Sequence, residues 1–501
     1  MAVTGTLPND SDKVDVQSVS YQAMSEKWKP LHALLGGTNE MRERKDTYLP
    51  REEKETKNQY DIRVARSYLF NAYGDTVGKL SDKPFTKPVT ISGAEGVDWI
   101  EEIQANVDGV GTEISQFGRE LLNACLVYGK THVLVDFPFV PGGLTMAEEK
   151  ELGVRPTFVH YTAVQLLGWK SEVVNGKRRL LQIRLYEVQV EPSGLYGDWE
   201  VEYIRVFNAP GTITEDNPDG KGTWELWRKT PNDDEFKQDK VGTHTFGEIP
   251  FITIYAEKTG FMTAEPPLYN LAQLNIAHFQ SYSDYRHALR FQSFGMVFIS
   301  GITQEEADDV TAVGPNRLIH AKNPEAKASV IEHQGKALAA AREHLKMLEE
   351  LMQVLGLQPL MQKSSSTATG EAIREGKNNA SIQTWIRAIE AGIYACYEFA
   401  AKWGKQELPS DFGVDIFSDF ALSYAATKDI ELLLKAREKG EISRETFLYE
   451  LKRRAMLDEA TDIDEEMERI DQEGPKLFEI GLGDSGEDMG GDKDGDEEDE
   501  E

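Results

Sequence analysis

Between Lys336 and Leu355 the apolar residues Leu338, Ala341, Leu345, Leu348, Met352 and Leu355 stand at gaps of 3, 4, 3, 4 and 3. That spacing is a heptad seam kept for nearly three turns of the repeat, and it calls for a helix with one face covered by another helix. No second heptad lies beside it in the sequence. The covering helix is therefore either a partner within an intramolecular bundle or a neighbouring subunit.

The segments around the seam are also helical. Leu268 to Phe294 places Leu271, Leu274, Phe279, Tyr282, Tyr285 and Leu289 at gaps of three to five, and a third long helix is expected from Glu371 to about Trp403. Between the first two helices lies a compact block. In it, 296–300, 317–320 and 329–332 read as strands around a short helix over 304–309. Between the second and third, the polar segment Gln358 to Thr369 interrupts. Gly356 and Pro359 stop the preceding helix, and Ser364, Ser365, Ser366 and Thr367 offer hydroxyls that compete for the backbone.

Upstream, the first third of the chain reads as helical with breaks. One face runs through Met24, Trp28, Leu31 and Leu35. A second helix is predicted from Tyr60 to Leu80 through Ile62, Ala65, Leu69, Tyr73 and Val77, ending at Lys83-Pro84. A third covers Gly111 to Tyr128. The period then changes to two: 132–137 reads as a strand, and 179–190, 199–207, 223–229 and 250–255 as strands of an antiparallel meander. Past 413–418, a further short strand, two helices are expected over 428–439 and 443–454, with Gly440 as a C-cap between them.

Helix–strand–helix patterning on this scale makes the fold class α+β, and 501 residues leave room for about two to four domains. Two cysteines, Cys125 and Cys396, cannot form a disulfide framework, which points to packing and a reducing compartment. The first residues lack a basic region followed by an apolar stretch, and no window of about 18 apolar residues occurs, so neither signal peptide nor membrane span is expected. Acidic residues outnumber basic ones 86 to 55, for a net charge of −31. The last stretch, Asp484 to Glu501, holds eleven acids and one base and reads as a disordered acidic tail. Such a surface repels phosphate. It argues against tight gripping of nucleic acid and is compatible with nucleic acid sliding past.

The sharpest chemical motif is Ala124-Cys-Leu-Val-Tyr-Gly129-Lys130-Thr131, a permissive phosphate-loop pattern with Ala in place of the first Gly. A phosphate loop needs a strand before it and a helix N-terminus after it. Here a helix enters and a strand leaves, so the expected reading is a helix-to-strand turn with Lys130 exposed. A nucleotide hydrolase using Lys130 and Thr131 is the enzymatic alternative. No histidine pair at i, i+4 and no nucleophile elbow occur, and neither a metal nor a cofactor is expected.

Six segments in order carry a resemblance. They are Tyr60-Asp-Ile-Arg-Val-Ala-Arg to Lys83-Pro-Phe with the following Lys-Pro-Val; Tyr128-Gly-Lys-Thr-His-Val-Leu-Val-Asp136; and Gly247-Glu-Ile-Pro-Phe251. Then follow Pro266-Pro-Leu-Tyr-Asn-Leu-Ala-Gln-Leu-Asn275; Thr367-Ala-Thr-Gly-Glu-Ala372; and Gly440-Glu-Ile-Ser443. With the order of long helices, they make the chain resemble the portal proteins of tailed bacteriophages over most of residues 20 to 475.

The resemblance implies a portal fold: a wing over 1–265, a first stem helix over 266–294, a small α/β clip over 295–334 and a second stem helix over 335–356. A tunnel loop over 357–369, a long helix with a returning wing strand over 370–427 and a helical crown over 428–475 follow, before the acidic tail over 476–501. It also implies a ring, usually twelve-fold, at one capsid vertex of a virion assembled in the host cytoplasm. Double-stranded DNA would pass through the channel during packaging and ejection, without sequence recognition. Implied partners are the terminase large subunit, a head-completion or tail adaptor protein, and the major capsid and scaffolding proteins. Leu357, Gln358, Lys363, Ser364, Ser365, Ser366 and Thr367 would face the DNA, and Leu338, Ala341, Leu345, Leu348, Met352 and Leu355 would pack the stem. A rival structural reading, a capsid scaffold or adaptor, calls for a shorter and more uniformly helical chain.

Overall fold

The computed structural model describes residues 13–136, 154–211, 220–244, 246–294, 296–301, 325, 327–331, 336–356, 368–418, 433–453, 456–457 and 461–473. The chain divides into two compact units, Met1–Ser418 and Asp419–Glu501.

The first unit opens with helices α1 (Val19–Leu35), α2 (Gly37–Glu43), α3 (Lys57–Arg66), α4 (Ala72–Asp82), α5 (Asp98–Ala105) and α6 (Ile114–Tyr128), with strand β1 (Thr90–Ser92) before α5. Strands follow: β2 (Lys130–Asp136), β3 (Thr157–Thr162), β4 (Leu166–Val174), β5 (Lys177–Ser193), β6 (Gly197–Asn208), β7 (Gly222–Lys229), β8 (Lys237–His244), β9 (Phe251–Tyr255), β10 (Lys258–Gly260) and β11 (Thr263–Ala264). Helix α7 (Tyr269–Phe294), the hairpin strands β12 (Met296–Ser300) and β13 (Lys327–Ile331), α8 (Lys336–Leu355), α9 (Ala368–Gly404) and β14 (Gly413–Asp415) complete it. The second unit holds a helical stretch over 433–438, α10 (Arg444–Arg453) and α11 (Ile463–Glu473).

Two antiparallel sheets form the β region: a three-stranded sheet in the order β3-β2-β9, and a five-stranded meander β4-β5-β6-β7-β8. The sequence reading put 250–255 in the meander. It belongs instead to the smaller sheet, as β9 beside β2. The alternation of apolar residues is the same for either partner, so only the packing decides. A core made of Leu134, Tyr161, Leu166, Ile183, Leu185, Phe207, Phe251 and Met262 joins the two sheets. Ring contacts link Phe117 on α6 and Tyr397 on α9 to Phe158 on β3. β2 is consequently central and buried along its length up to Val135.

The helices form around one apolar face each. α1 buries Met24, Trp28 and Leu31 as predicted, and its Ser18 cap accepts from the Tyr21 N–H at 3.2 Å. It buries Leu34, however, and leaves Leu35 39% exposed, because the face follows 3.6 residues per turn. The predicted single helix over 60–80 is two helices. Ser67 leaves α3 with extended backbone, and Asn71 caps α4 by accepting from the Gly74 N–H at 3.0 Å. Asn275, from α7, then donates to the Phe70 carbonyl at 2.7 Å and accepts from the Tyr73 N–H at 3.0 Å. The two helices therefore have separate faces: α3 buries Tyr60 and Val64 and leaves the predicted Ile62 and Ala65 exposed, whereas α4 buries Tyr73 and Val77 as expected.

In the second unit Gly440 takes the left-handed conformation (φ 74°), and Glu441 N–H reaches back to the Ala436 carbonyl at 2.9 Å, the C-cap expected from the sequence. Ser443 then caps α10, accepting from the Thr446 N–H at 3.0 Å.

Candidate functional site

α7 and α8 form a pair whose two faces differ. His278, nine residues into α7, lies 3.4 Å from Glu349 near the far end of α8, and the antiparallel β12–β13 hairpin joins their other ends. The two helices therefore run antiparallel. α7 is fixed to the body by polar groups, of which Asn275 is buried, as well as by Leu271, Ala272 and Phe279. Asn275 bridges the α3–α4 connection, Gln280 donates to the Tyr48 carbonyl at 3.0 Å, and Arg286 donates to the Arg66 carbonyl at 2.8 Å. His278 is buried and stacks on Tyr282, and desolvation lowers its pKa while Glu349 opposes the shift.

On α8 the seam turns inward. Leu345, Leu348 and Met352 are buried, Leu338 and Ala341 are half-buried, and Leu355 is 39% exposed. The covering helix asked for by the heptads is thus α7 of the same chain for most of the seam. A second stripe remains open. Met347 is 50%, Leu351 43% and Val354 67% exposed, at i, i+4 and i+7 on one side of the same helix. The sequence reading missed these three because the heptad seam absorbed the apolar pattern. The signal was a second 4, 3 spacing running beside it.

The residues expected to face DNA, Leu357, Gln358, Lys363, Ser364, Ser365, Ser366 and Thr367, lie outside the described residues, as do the predicted elements over 304–309 and 317–320 and the tail over 476–501. The helix after the polar segment is already formed at Ala368, three residues before the expected start at Glu371.

The structure corrects the reading of Gly129-Lys130-Thr131. The turn itself is as expected: α6 ends at Gly129 (φ 81°) and β2 begins at Lys130. Lys130, however, is fully buried. Its Nζ donates to the Met262 carbonyl at 2.6 Å and lies 4.9 Å from the centre of the Trp169 ring. The cause is the position of β2 between two neighbours, which turns its first side chain into the interior. Desolvation lowers the Lys130 pKa to about 7, while the carbonyl and the ring face favour the cation and work against that shift. Thr131 lies 2.7 Å from His160 Nε2, and Asp136 pairs with Arg205 at 2.8 Å. A lysine so placed cannot reach a phosphate in solvent, and Gly129 serves a backbone crossing. A Cβ there would stand 2.2 Å from the Glu265 carbonyl oxygen.

Among the described residues, no cluster of three metal-ligating side chains occurs and no helix is long and apolar enough to cross a membrane. Cys125 and Cys396 are buried free thiols whose pKa values desolvation raises.

Comparison with known proteins bears on the α7–α9 block. Residues 267–404 match a family described as a domain of unknown function, DUF4055. The match starts two residues before α7 and stops at the last residue of α9, so it spans the helical pair, its hairpin and the long helix. No curated protein matches the chain. Among solved structures, it is similar to a chain in the neck of an empty gene transfer agent (GTA) particle computed with C6 symmetry, at 10% identity and a TM-score of 0.37, covering 75% of this chain and 88% of that one. It is likewise similar to a chain in the virion of a native GTA particle, at 9% identity and 0.38, covering 75% and 88%. A chain in the neck of a native GTA particle computed with C12 symmetry gives 9% and 0.37, covering 76% and 89%.

Proposed function

We propose that the chain is the subunit of a phage-type portal ring, the DNA channel at one capsid vertex. One observation carries the reading: α8 buries one apolar face on α7 and leaves a second, Met347, Leu351 and Val354, open to a neighbour. Apolar side chains aligned on one exposed helical face mark an interaction site, and a ring of copies covers it on every subunit. The order of helix, hairpin, helix, polar segment and long helix fits the stem, clip, tunnel loop and supporting helix that the sequence resemblance implies. In this reading the clip meets the terminase large subunit and later a tail adaptor, the body contacts capsid and scaffolding proteins, and the protein catalyses no reaction.

The purified chain at micromolar concentration and physiological salt is expected to form closed rings with a central hole in negative stain, twelve-fold in particles. Leu351→Glu combined with Val354→Glu is expected to reduce the rings to monomers while shifting Tm by only a few degrees, because both positions are exposed. A strictly monomeric wild-type mass would end this reading. The polar segment gives a separate check. Lys363→Glu is expected to leave rings intact and to alter DNA packaging or retention, and unchanged packaging would remove Lys363 from the channel.

A further inference from the structure

The five-stranded sheet carries two exposed tips of opposite charge at the two ends of one strand. β5 runs from Lys177 to Ser193, so its ends lie about 50 Å apart at the usual rise per residue. At its start, the turn from β4 is Asn175-Gly176, both with positive φ, flanked by the pairs Val174–Lys177 and Val173–Arg178. Val173 and Val174 are 61% and 42% exposed, and Lys170, Lys177 and Arg178 are exposed beside them, against one exposed acid, Glu172. This tip is basic and apolar.

The other end is acidic and apolar. β5 pairs with β6 from Gln182–Asn208 to Ser193–Gly197, whereas β4 stops pairing at Leu185 and β7 at Glu202. Residues 186–201 therefore run past the ends of β4 and β7 as a two-stranded extension, anchored at its base by buried Val201 and by Glu191, which accepts from Arg228 of β7. On one face of it Val188 lies across from Glu202, Val190 from Glu200 and Pro192 from Asp198. Val188 is 48% and Val190 65% exposed, and the tip residues Leu195 and Tyr196 are 83% and 95% exposed. The stretch 187–202 contains five acids and no base; Glu187, Glu191 and Glu202 pair with Arg205, Arg228 and Lys229 of the same sheet, so the charge of the tip rests on Asp198 and Glu200.

We infer that the acidic hairpin of one copy docks on the basic β4–β5 turn of the next. The inference rests on the ring proposed above and deepens it by naming a second contact between subunits. Charge complementarity picks the occupant. The hairpin would repel most of a protein that carries a net charge of −31, and the β4–β5 turn combines basic side chains with exposed valines of a size to meet Val188, Val190 and Leu195. Because the two tips sit at opposite ends of one strand, neither can meet the other within a chain. A head-to-tail contact of this kind is heterologous and closes only in a ring. Rim charges of this type act on association and register more than on total affinity, and their effect falls as salt rises.

The experiment uses the full chain and reads the protein concentration at which rings form, by mass photometry at low and at 0.5 M salt. Asp198→Lys with Glu200→Lys, or separately Lys177→Glu with Arg178→Glu, is expected to raise that concentration at least tenfold at low salt. Combining all four is expected to restore it to within about threefold of wild type. If wild type forms rings and the separate reversals leave the concentration unchanged, or the combination fails to recover it, the hairpin contact is overturned and the portal reading stands. If wild type forms no ring under any condition, both fall.

Discussion

Gly129→Ala is expected to lower stability by about 3–4 kcal/mol, enough to leave a marginally stable unit largely unfolded at 37 °C. Two effects add. The residue sits at φ 81°, where an L side chain costs about 1–2 kcal/mol. A Cβ there would also stand 2.2 Å from the Glu265 oxygen, 2.5 Å from its carbonyl carbon and 3.0 Å from Pro266 N. Those are backbone atoms with no rotamer to yield, and overpacking of this kind costs about 1–3 kcal/mol. Gly176→Ala is the control, since its φ is 77° and nothing stands within 4 Å of its Cβ position. It is expected to cost about 1 kcal/mol. Urea midpoints of the two variants measure the difference. Equal losses would show that the close approach of Glu265–Pro266 to the helix end does not matter.

Stability is expected to rise with pH between about 7 and 9.5, and Lys130→Met is expected to remove most of that rise. Lys130 has its folded pKa lowered from 10.5 to about 7, so between those values the unfolded chain binds the proton that the folded chain has given up. The contribution is complete above the unfolded pKa and is lost progressively as pH falls toward 7, at up to about 1.4 kcal/mol per pH unit. Methionine has a similar length and no charge to desolvate, so at pH 7 the variant is expected to be at least as stable as wild type, and relatively less so at pH 9.5. The Met262 carbonyl loses its donor in exchange, which limits the gain. A second window lies in acid. His160, lowered to about 4, and His132, held well below the usual histidine value by burial and by Lys130, are neutral in the fold. Their contributions are present above about 6.5 and are lost as pH falls, so acid unfolding is expected to begin near pH 6. Wild-type midpoints that do not change between pH 7 and 9.5, or a Lys130→Met profile parallel to wild type, would contradict the assignment.

Much of the fold was legible wherever one periodicity acted alone. The bounds of α8 match the seam residue for residue, and β2, β5, β6 and β7 fall where alternation between turn residues placed them. The break between α3 and α4 was not legible, although Ser67 and Asn71 are both capping residue types. The apolar spacing continued across them, and the group that completes the break, Asn275, lies about two hundred residues away. The burial of Lys130 was hidden for a similar reason. In a sequence Gly-Lys-Thr reads as a turn, whereas the fate of the lysine depends on β3 and β9 flanking its strand. Of the candidate site, the seam spacing lies on the face of α8 that holds the buried Leu345, Leu348 and Met352. The open stripe beside it became visible only once α7 had covered the seam.

The two-stranded sheet of β1 and β14 has a consequence for how the protein is made. β1 and β14 are three residues each, and Thr90 pairs with Asp415, more than three hundred residues later. At translation rates of about 5–20 residues per second, roughly 15 to 65 seconds separate the synthesis of the two strands. α9, which packs on α6 and β9, also emerges near the end of that interval. The nascent N-terminal region therefore waits, with β1 unpaired and the small sheet covered by α6 but not yet by α9, until residues near 415 have left the ribosome. Fragments ending before α9 keep β1 without its partner strand and leave β9 without the helix that packs on it.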